Sequence, residues 1–266
     1  MLDVAPAEPS TTAPTLAFLS GARAALAFLT RIPCGRQPVS KSALQWAPAW
    51  FPMVGYGLGF LGSLVLLGIG RAGPWVAAVS TIAVLALITG AFHEDGLADT
   101  ADALGGAFDR EKIFVILKDS RIGSFGATAL VLALLLRAAA LAQLGPLAVG
   151  GLLLGQTLSR TTPVWLMAAL PYVTPAESSR SLDVTGKKLP QAIAASLSAA
   201  AIAGLLVVLK IVAWRPLLVS VLLASAVTVV CGWRFYKRAG GITGDFLGAT
   251  QQVTDVVILV GLAASM

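Results

Sequence analysis

Four carboxylates and the only histidine of the chain stand in ten consecutive residues, His93-Glu94-Asp95-Gly96-Leu97-Ala98-Asp99-Thr100-Ala101-Asp102. The whole chain has 13 acidic residues in 266, so this run concentrates a scarce resource. On a helix Asp95, Asp99 and Asp102 fall at i, i+4 and i+7, which places them on one face. Like charges at that spacing repel unless something compensates them. An all-oxygen donor set suits a hard divalent cation such as Mg²⁺ or Mn²⁺ rather than zinc. Asp95, Asp99 and Asp102 are therefore candidate catalytic and metal-binding residues, with Glu94 as a further ligand. His93 is a candidate base or ligand; the alternative for it is a hydrogen-bonded spacer at the end of an apolar segment.

A second run, Lys118-Asp119-Ser120-Arg121-Ile122-Gly123-Ser124-Phe125-Gly126, has the chemistry to meet an anion. Glycines where a helix starts let backbone N–H groups approach a phosphate, and Lys and Arg supply matching charge. Lys118, Ser120, Arg121 and Gly123 are candidate substrate-binding residues, and Asp119 is a fifth candidate ligand. The spacing is not that of a P-loop, and an ordinary basic cluster beside a membrane accounts for the run as well. Together the two runs supply carboxylates for a metal and positive groups for a phosphate, the ingredients of metal-assisted phosphoryl transfer.

The elements that must position these residues are membrane helices. The chain is 57% hydrophobic and only 12% charged, about half the charge of an ordinary soluble domain. We expect an all-α, polytopic membrane protein in one domain, 16–266, behind a disordered tail, 1–15, that lacks the features of a signal peptide. Seven apolar segments are long enough to span, at about 44–70, 74–92, 123–144, 146–172, 190–209, 216–233 and 246–265. Residues 16–30 form a shorter stretch, read as a cytoplasmic amphipathic or re-entrant helix, and 104–118 reads as an interfacial amphipathic helix after a break at Gly105-Gly106. Pro48 and Pro52 are expected to kink or break the first span. The pairs Gly55/Gly59 and Gly151/Gly155 have the GxxxG spacing of close helix packing, within the chain in preference to between copies. A homo-oligomer is left open. Cys34 and Cys231 suggest neither a disulfide nor zinc.

The net charge of +6 reports topology and points to no nucleic-acid partner. With the N-terminus inside, the cytoplasmic side collects Arg23, Arg31, Arg36, Lys41, Arg110, Lys112, Lys118, Arg121, Arg180, Lys187, Lys188, Arg234, Lys237 and Arg238, against Arg71, Lys210 and Arg215 outside. That bias places both motif runs on the cytoplasmic face. Two arginines remain inside spans. Arg160 lies in a polar island with Gln156, Ser159, Thr161 and Thr162; Arg137 is a candidate partner for Asp255, although nothing in the sequence fixes the pair. Asp245 sits at the cytoplasmic mouth of the last span and, with Arg160, is a further candidate substrate-binding residue.

These motifs resemble the cobalamin synthase family of adenosylcobinamide-GDP ribazoletransferases. The resemblance runs in order through Phe28-Leu29-Thr30-Arg31-Ile32-Pro33, Phe51-Pro52-Met53-Val54-Gly55, the His93–Asp102 and Lys118–Gly126 runs, Ser159-Arg160 and Thr243-Gly244-Asp245-Phe246-Leu247-Gly248-Ala249-Thr250, and covers about residues 16 to 255. One departure is Ala103-Leu104, where the family often has Gly after the last Asp. The resemblance implies a Mg²⁺-dependent enzyme of the bacterial cytoplasmic (inner) membrane, with its active site in the cytoplasm. Its substrates would be adenosylcobinamide-GDP and α-ribazole or its 5′-phosphate, its products GMP and adenosylcobalamin or its 5′-phosphate. It further implies Mg²⁺ at Asp95, Asp99 and Asp102, with Glu94 or Asp119, and the pyrophosphate at Lys118, Arg121 and Arg160. A CDP-alcohol phosphotransferase is the first competitor, but its DGxxAR pattern fails after Asp95-Gly96. A cation-coupled transporter is the second, and no internal repeat supports it.

Overall fold

In the computed structural model the described residues are 14–35, 38–173 and 189–265. The expected tail up to residue 13 and the basic residues Arg36, Arg180, Lys187 and Lys188 lie outside them. The chain is all-α: α1 Pro14–Leu29, α2 Lys41–Ile69, α3 Pro74–Thr89, α4 Phe92–Gly106, α5 Arg110–Ile116, α6 Ser124–Leu144, α7 Ala148–Ser159, α8 Thr162–Ala169, α9 Leu189–Val208, α10 Trp214–Ala239 and α11 Gly244–Ala264. α1 begins at Pro14, so it takes in the last two residues of the expected tail.

Among the described residues five stretches are long and apolar enough to cross a membrane, or six if the bent pair α3–α4 counts as one span. One of the five, Ser124–Ala169, has 46 residues, roughly 69 Å if it were a single straight helix and more than twice the thickness of a bilayer core. It folds back at Gly145, where φ is 51°. Arg137 on the outgoing limb and Gln156 on the returning limb both reach Asp255, so the limbs lie side by side. The stretch therefore contains two of the seven expected segments.

Three local expectations change. Pro48 and Pro52 sit inside a helix of 29 residues and do not break it; Ser40 caps its start by accepting from the Ala43 amide at 3.2 Å. α3 ends at Thr89 rather than Phe92, because Gly90 turns left-handed at φ 71° and Ala91 follows at φ 56°. α4 leaves that turn bent by 92° from α3. No break occurs at Gly105-Gly106: α4 runs through both, and a Cβ on Gly105 would lie 2.6 Å from the Phe125 ring. The expected interfacial helix shrinks to the seven residues of α5, held by fully buried Ile113 with Arg110, Glu111 and Lys112 exposed.

The glycine pairs pack helices within the chain. Cβ atoms on Gly55 and Gly59 of α2 would meet the backbone of α7 at Gln156 and Leu152. On α7, a Cβ on Gly155 would lie 2.7 Å from Asp255 Oδ1 of α11. Small residues thus let α2, α7 and α11 approach closely. The loop before α11 is tied to the end of α8 by backbone bonds, Ile242 N–H to the Pro171 carbonyl at 2.9 Å and Val173 N–H to the Ile242 carbonyl at 3.0 Å.

Candidate active site

α4 is a short polar helix laid along α11 and α6, and its contacts differ by face and by end. Its closest approach to α11 is at Gly96, where a Cβ would lie 2.9 Å from the Asp245 carbonyl oxygen and 3.3 Å from Gly248 Cα. Only glycine allows the two backbones so near. This contact sets Asp245, in the first turn of α11, beside the exposed face of α4. Asp99 lies within electrostatic reach of Asp95, Asp245 and Asp102, and Asp95 also acts on Asp245. Asp95 is exposed, Asp99 and Asp245 half-buried. No ion pair to any of these three is found among the described residues.

Asp102 has the same face but another environment. Its Oδ2 accepts from the Gly123 amide at 2.7 Å and its Oδ1 from the Gly126 amide at 2.8 Å. Gly123 is the N-cap of α6 and has no side chain to cap with; Asp102 does that work from another helix, where the dipole favours an anion. A Cβ on either glycine would collide with the carboxylate. The Gly123 amide, expected to meet a phosphate, is given to Asp102, which explains the glycine spacing of the second run without a ligand.

Glu94 points the other way, into the bundle, with Oε1 3.4 Å from Arg137 Nη1. Arg137 also donates to Gln252 Oε1 at 3.1 Å and pairs with Asp255 Oδ2 at 2.9 Å. Asp255 Oδ2 accepts from Gln156 Nε2 at 3.0 Å, and Gln156 Oε1 accepts from Arg160 Nη1 at 2.8 Å. Two arginines and two carboxylates thus compensate one another inside the bundle, as buried charges must. The Arg137–Asp255 pair that the sequence left open is formed.

His93 is buried, 5% exposed, and lines a cavity with Arg160 and Gln251. The α5–α6 loop lies at the other end of α4. Lys118, Ser120 and Arg121 are exposed there, and Arg121 is paired with Asp119 at 2.6 Å. That pairing holds the Asp119 carboxyl below its ordinary range, at about 2. Nine residues of helix, roughly 13 Å, separate His93 from Asp102, so Arg160 and the Lys118–Arg121 cluster stand at opposite ends of the site. The structure therefore brings together Asp95, Asp99 and Asp245; it gives Glu94, Asp102 and Asp119 partners of their own. The sequence marks Asp245 as a candidate substrate-binding residue at the mouth of a span; its place beside Asp95 and Asp99 depends on the packing of α4 on α11, which the sequence does not show.

These features define a polytopic all-α membrane protein with a carboxylate-lined seam between two helices. The chain belongs to the cobalamin-5-phosphate synthase family, whose model matches residues 21–263. It is 42% identical over 81% of its length to the adenosylcobinamide-GDP ribazoletransferase of Rhizobium etli (strain CIAT 652), covering 85% of that protein. The proteins of the same name from Shewanella piezotolerans and Albidiferax ferrireducens are each 39% identical; the shares covered are 88% of this chain and 90% of the relative, and 91% and 96%, respectively. No solved structure matches significantly.

Proposed function

We propose that the chain joins α-ribazole, or its 5′-phosphate, to adenosylcobinamide-GDP at the α4–α11 seam. The observation that carries this reading is the trio Asp95, Asp99 and Asp245, gathered without a compensating cation in a chain so similar to proteins of that name. A ribose hydroxyl attacks the cobinamide-linked phosphorus, the bond from that phosphorus to the GMP oxygen breaks, and the hydroxyl proton passes to a base. The products are GMP and adenosylcobalamin or its 5′-phosphate.

The trio fits Mg²⁺ by its chemistry: hard oxygen donors, reachable from solvent, with charge to spare. Among the described residues no three His, Cys, Asp or Glu side chains converge on one point as in an all-protein metal cage. Mg²⁺ needs none, because it keeps several waters and takes one or two carboxylates together with substrate phosphates. When bound, the ion would neutralise charge on the transferred phosphoryl group. The residues themselves do the rest. Asp95 and Asp99 share one face of α4, whereas His93, whose backbone packs against Gly248 of α11, is buried inside the bundle. A carboxylate of the trio is thus better placed than His93 to take the proton. Lys118 and Arg121 supply positive charge at the solvent side. The excess of basic residues on this side supports a cytoplasmic position for the face, in a bacterial inner membrane.

The test is GMP release by the purified protein given adenosylcobinamide-GDP, α-ribazole and Mg²⁺. Release that requires both substrates supports the reading; no release with Mg²⁺ present overturns it.

A further inference from the structure

Exposed cations stand at both ends of α4. Lys118 and Arg121 lie beyond Asp102, past the end of the helix. Arg31, in the turn after α1, lies before its start and is exposed. Its backbone N–H donates to the Ile88 carbonyl, in the last turn of α3, at 2.7 Å. The Thr30 hydroxyl accepts from the Ile32 amide at 3.2 Å and fixes the turn on either side of Arg31. The guanidinium lies across Gly90 so closely that a Cβ there would overlap Nε. Its one hydrogen bond, from Nη2 to the Gly90 carbonyl, is long at 3.5 Å, and it makes no ion pair among the described residues. Most of the N–H donors of this guanidinium are therefore open to solvent. Gly90 and Ala91 lead directly into α4, where the Asp95 amide donates to the Ala91 carbonyl at 2.9 Å. The cation thus stands roughly one helical turn before Asp95. Arg160, the other arginine at this end, is 3% exposed and held by Gln156.

We infer that Arg31 holds the 5′-phosphate of α-ribazole 5′-phosphate and so selects that form of the nucleoside; the inference rests on the reading of the chain as a ribazole transferase. A fixed arginine with free donors suits a phosphate monoester, which it meets as a bidentate fork. Phosphoryl transfer sets the attacking and leaving oxygens roughly in line, so the two substrates approach the phosphorus from opposite sides. With GMP leaving toward Lys118 and Arg121, the nucleoside enters from the Arg31 end. Its 5′ position is blocked, so a ring hydroxyl attacks and the phosphate projects from the far side of the sugar. A dianion brought in beside Asp95 would meet like charge unless a cation received it. Arg31 is the exposed cation at that end. Unphosphorylated α-ribazole brings no anion for it to hold.

GMP release is measured in detergent with adenosylcobinamide-GDP and either α-ribazole 5′-phosphate or α-ribazole, for the wild type, Arg31→Gln and Arg31→Lys. Arg31→Gln should raise KM for the phosphorylated nucleoside by about tenfold or more, the worth of one charge-assisted contact. Arg31→Lys, which keeps the charge without the fork, should raise it less. The loss should be confined to the phosphorylated form, with KM for adenosylcobinamide-GDP unmoved. An equal loss with both nucleosides makes Arg31 a brace for the α3–α4 turn, and a raised KM for adenosylcobinamide-GDP gives it to the pyrophosphate; either overturns the inference. So does a wild type with the same KM for both nucleosides. If Arg31→Gln does not fold, Arg31→Lys decides, by whether its loss is confined to the phosphorylated form. A defect that appears only in phosphatidylglycerol vesicles, and with both nucleosides, assigns Arg31 to a lipid phosphate and also overturns the inference. A wild type that releases no GMP overturns the transferase reading alone; titration of each nucleoside into the full chain in EDTA then decides Arg31 by the same selectivity.

Discussion

Asp102 Oδ1 accepts the amide proton of Gly126 at 2.8 Å, across 24 residues of sequence. With the Gly123 amide on its other oxygen, the carboxylate is the N-terminal cap of α6. Replacing it with alanine leaves two amides without a partner at a helix start. The Asp102→Ala protein should lose about 1–3 kcal/mol of stability, with Asp102→Asn intermediate, because one amide oxygen survives. Thermal unfolding in detergent measures this; an unchanged midpoint for Asp102→Ala would show that the cap carries no weight. Gly126→Ala should be at least as harmful, since its Cβ would occupy the place of the carboxylate.

The pair Arg137–Asp255, at 2.9 Å and almost fully buried, is the centre of the internal polar network. Asp255→Leu leaves Arg137 with the longer ion pair to Glu94 and the hydrogen bond to Gln252 and should cost about 3–5 kcal/mol. Adding Arg137→Leu should recover part of that loss. The check is a double-mutant cycle on unfolding midpoints. Additive effects would mean that the two charges do not depend on each other.

The carboxylate trio should respond to the metal as a unit. Asp99→Asn and Asp245→Asn should each raise the Mg²⁺ concentration for half-maximal GMP release on the order of 100-fold, equivalent to about 2.7 kcal/mol, without moving the unfolding midpoint downward. EDTA should abolish turnover by the wild type. Full activity of Asp99→Asn at limiting Mg²⁺ would remove the metal from this face of α4.

The exposed Arg121–Asp119 pair should matter little to folding. Arg121→Ala should leave the unfolding midpoint in place and raise KM for adenosylcobinamide-GDP by about tenfold, as expected for one charge-assisted contact to phosphate. An unchanged KM would reduce the loop to a solvated basic cluster.

The sequence reveals the helices well because bilayer-length apolar runs leave little ambiguity. It reveals less of where they turn. The left-handed Ala91 carries no compositional signal, since non-glycine residues rarely adopt that conformation. Helical spacing correctly puts Asp95, Asp99 and Asp102 on one face. It cannot tell that this face meets the seam with α11 along its middle and the start of α6 at its end. Glu94 shows the same limit: one residue from Asp95, it is rotated by about 100°, which is enough to turn it from solvent toward Arg137. Arg137 and Asp255 were visible as unpaired charges within spans, and burial alone predicted that they would find partners; which partners depends on helix packing.

α4 is pinned at both ends, by Glu94 to Arg137 near its start and by Asp102 to Gly123 and Gly126 near its finish. Such a helix cannot roll or slide without breaking an ion pair or uncapping α6. The separation of Asp95 and Asp99 is therefore fixed by folding, before any cation arrives, and the repulsion between them is met in advance by anchors at the two ends. A single residue inserted at Gly90-Ala91 would make the point directly. It would rotate the helix about a quarter-turn against its anchors, so the protein would have to give up either the cap on α6 or the spacing of its carboxylates.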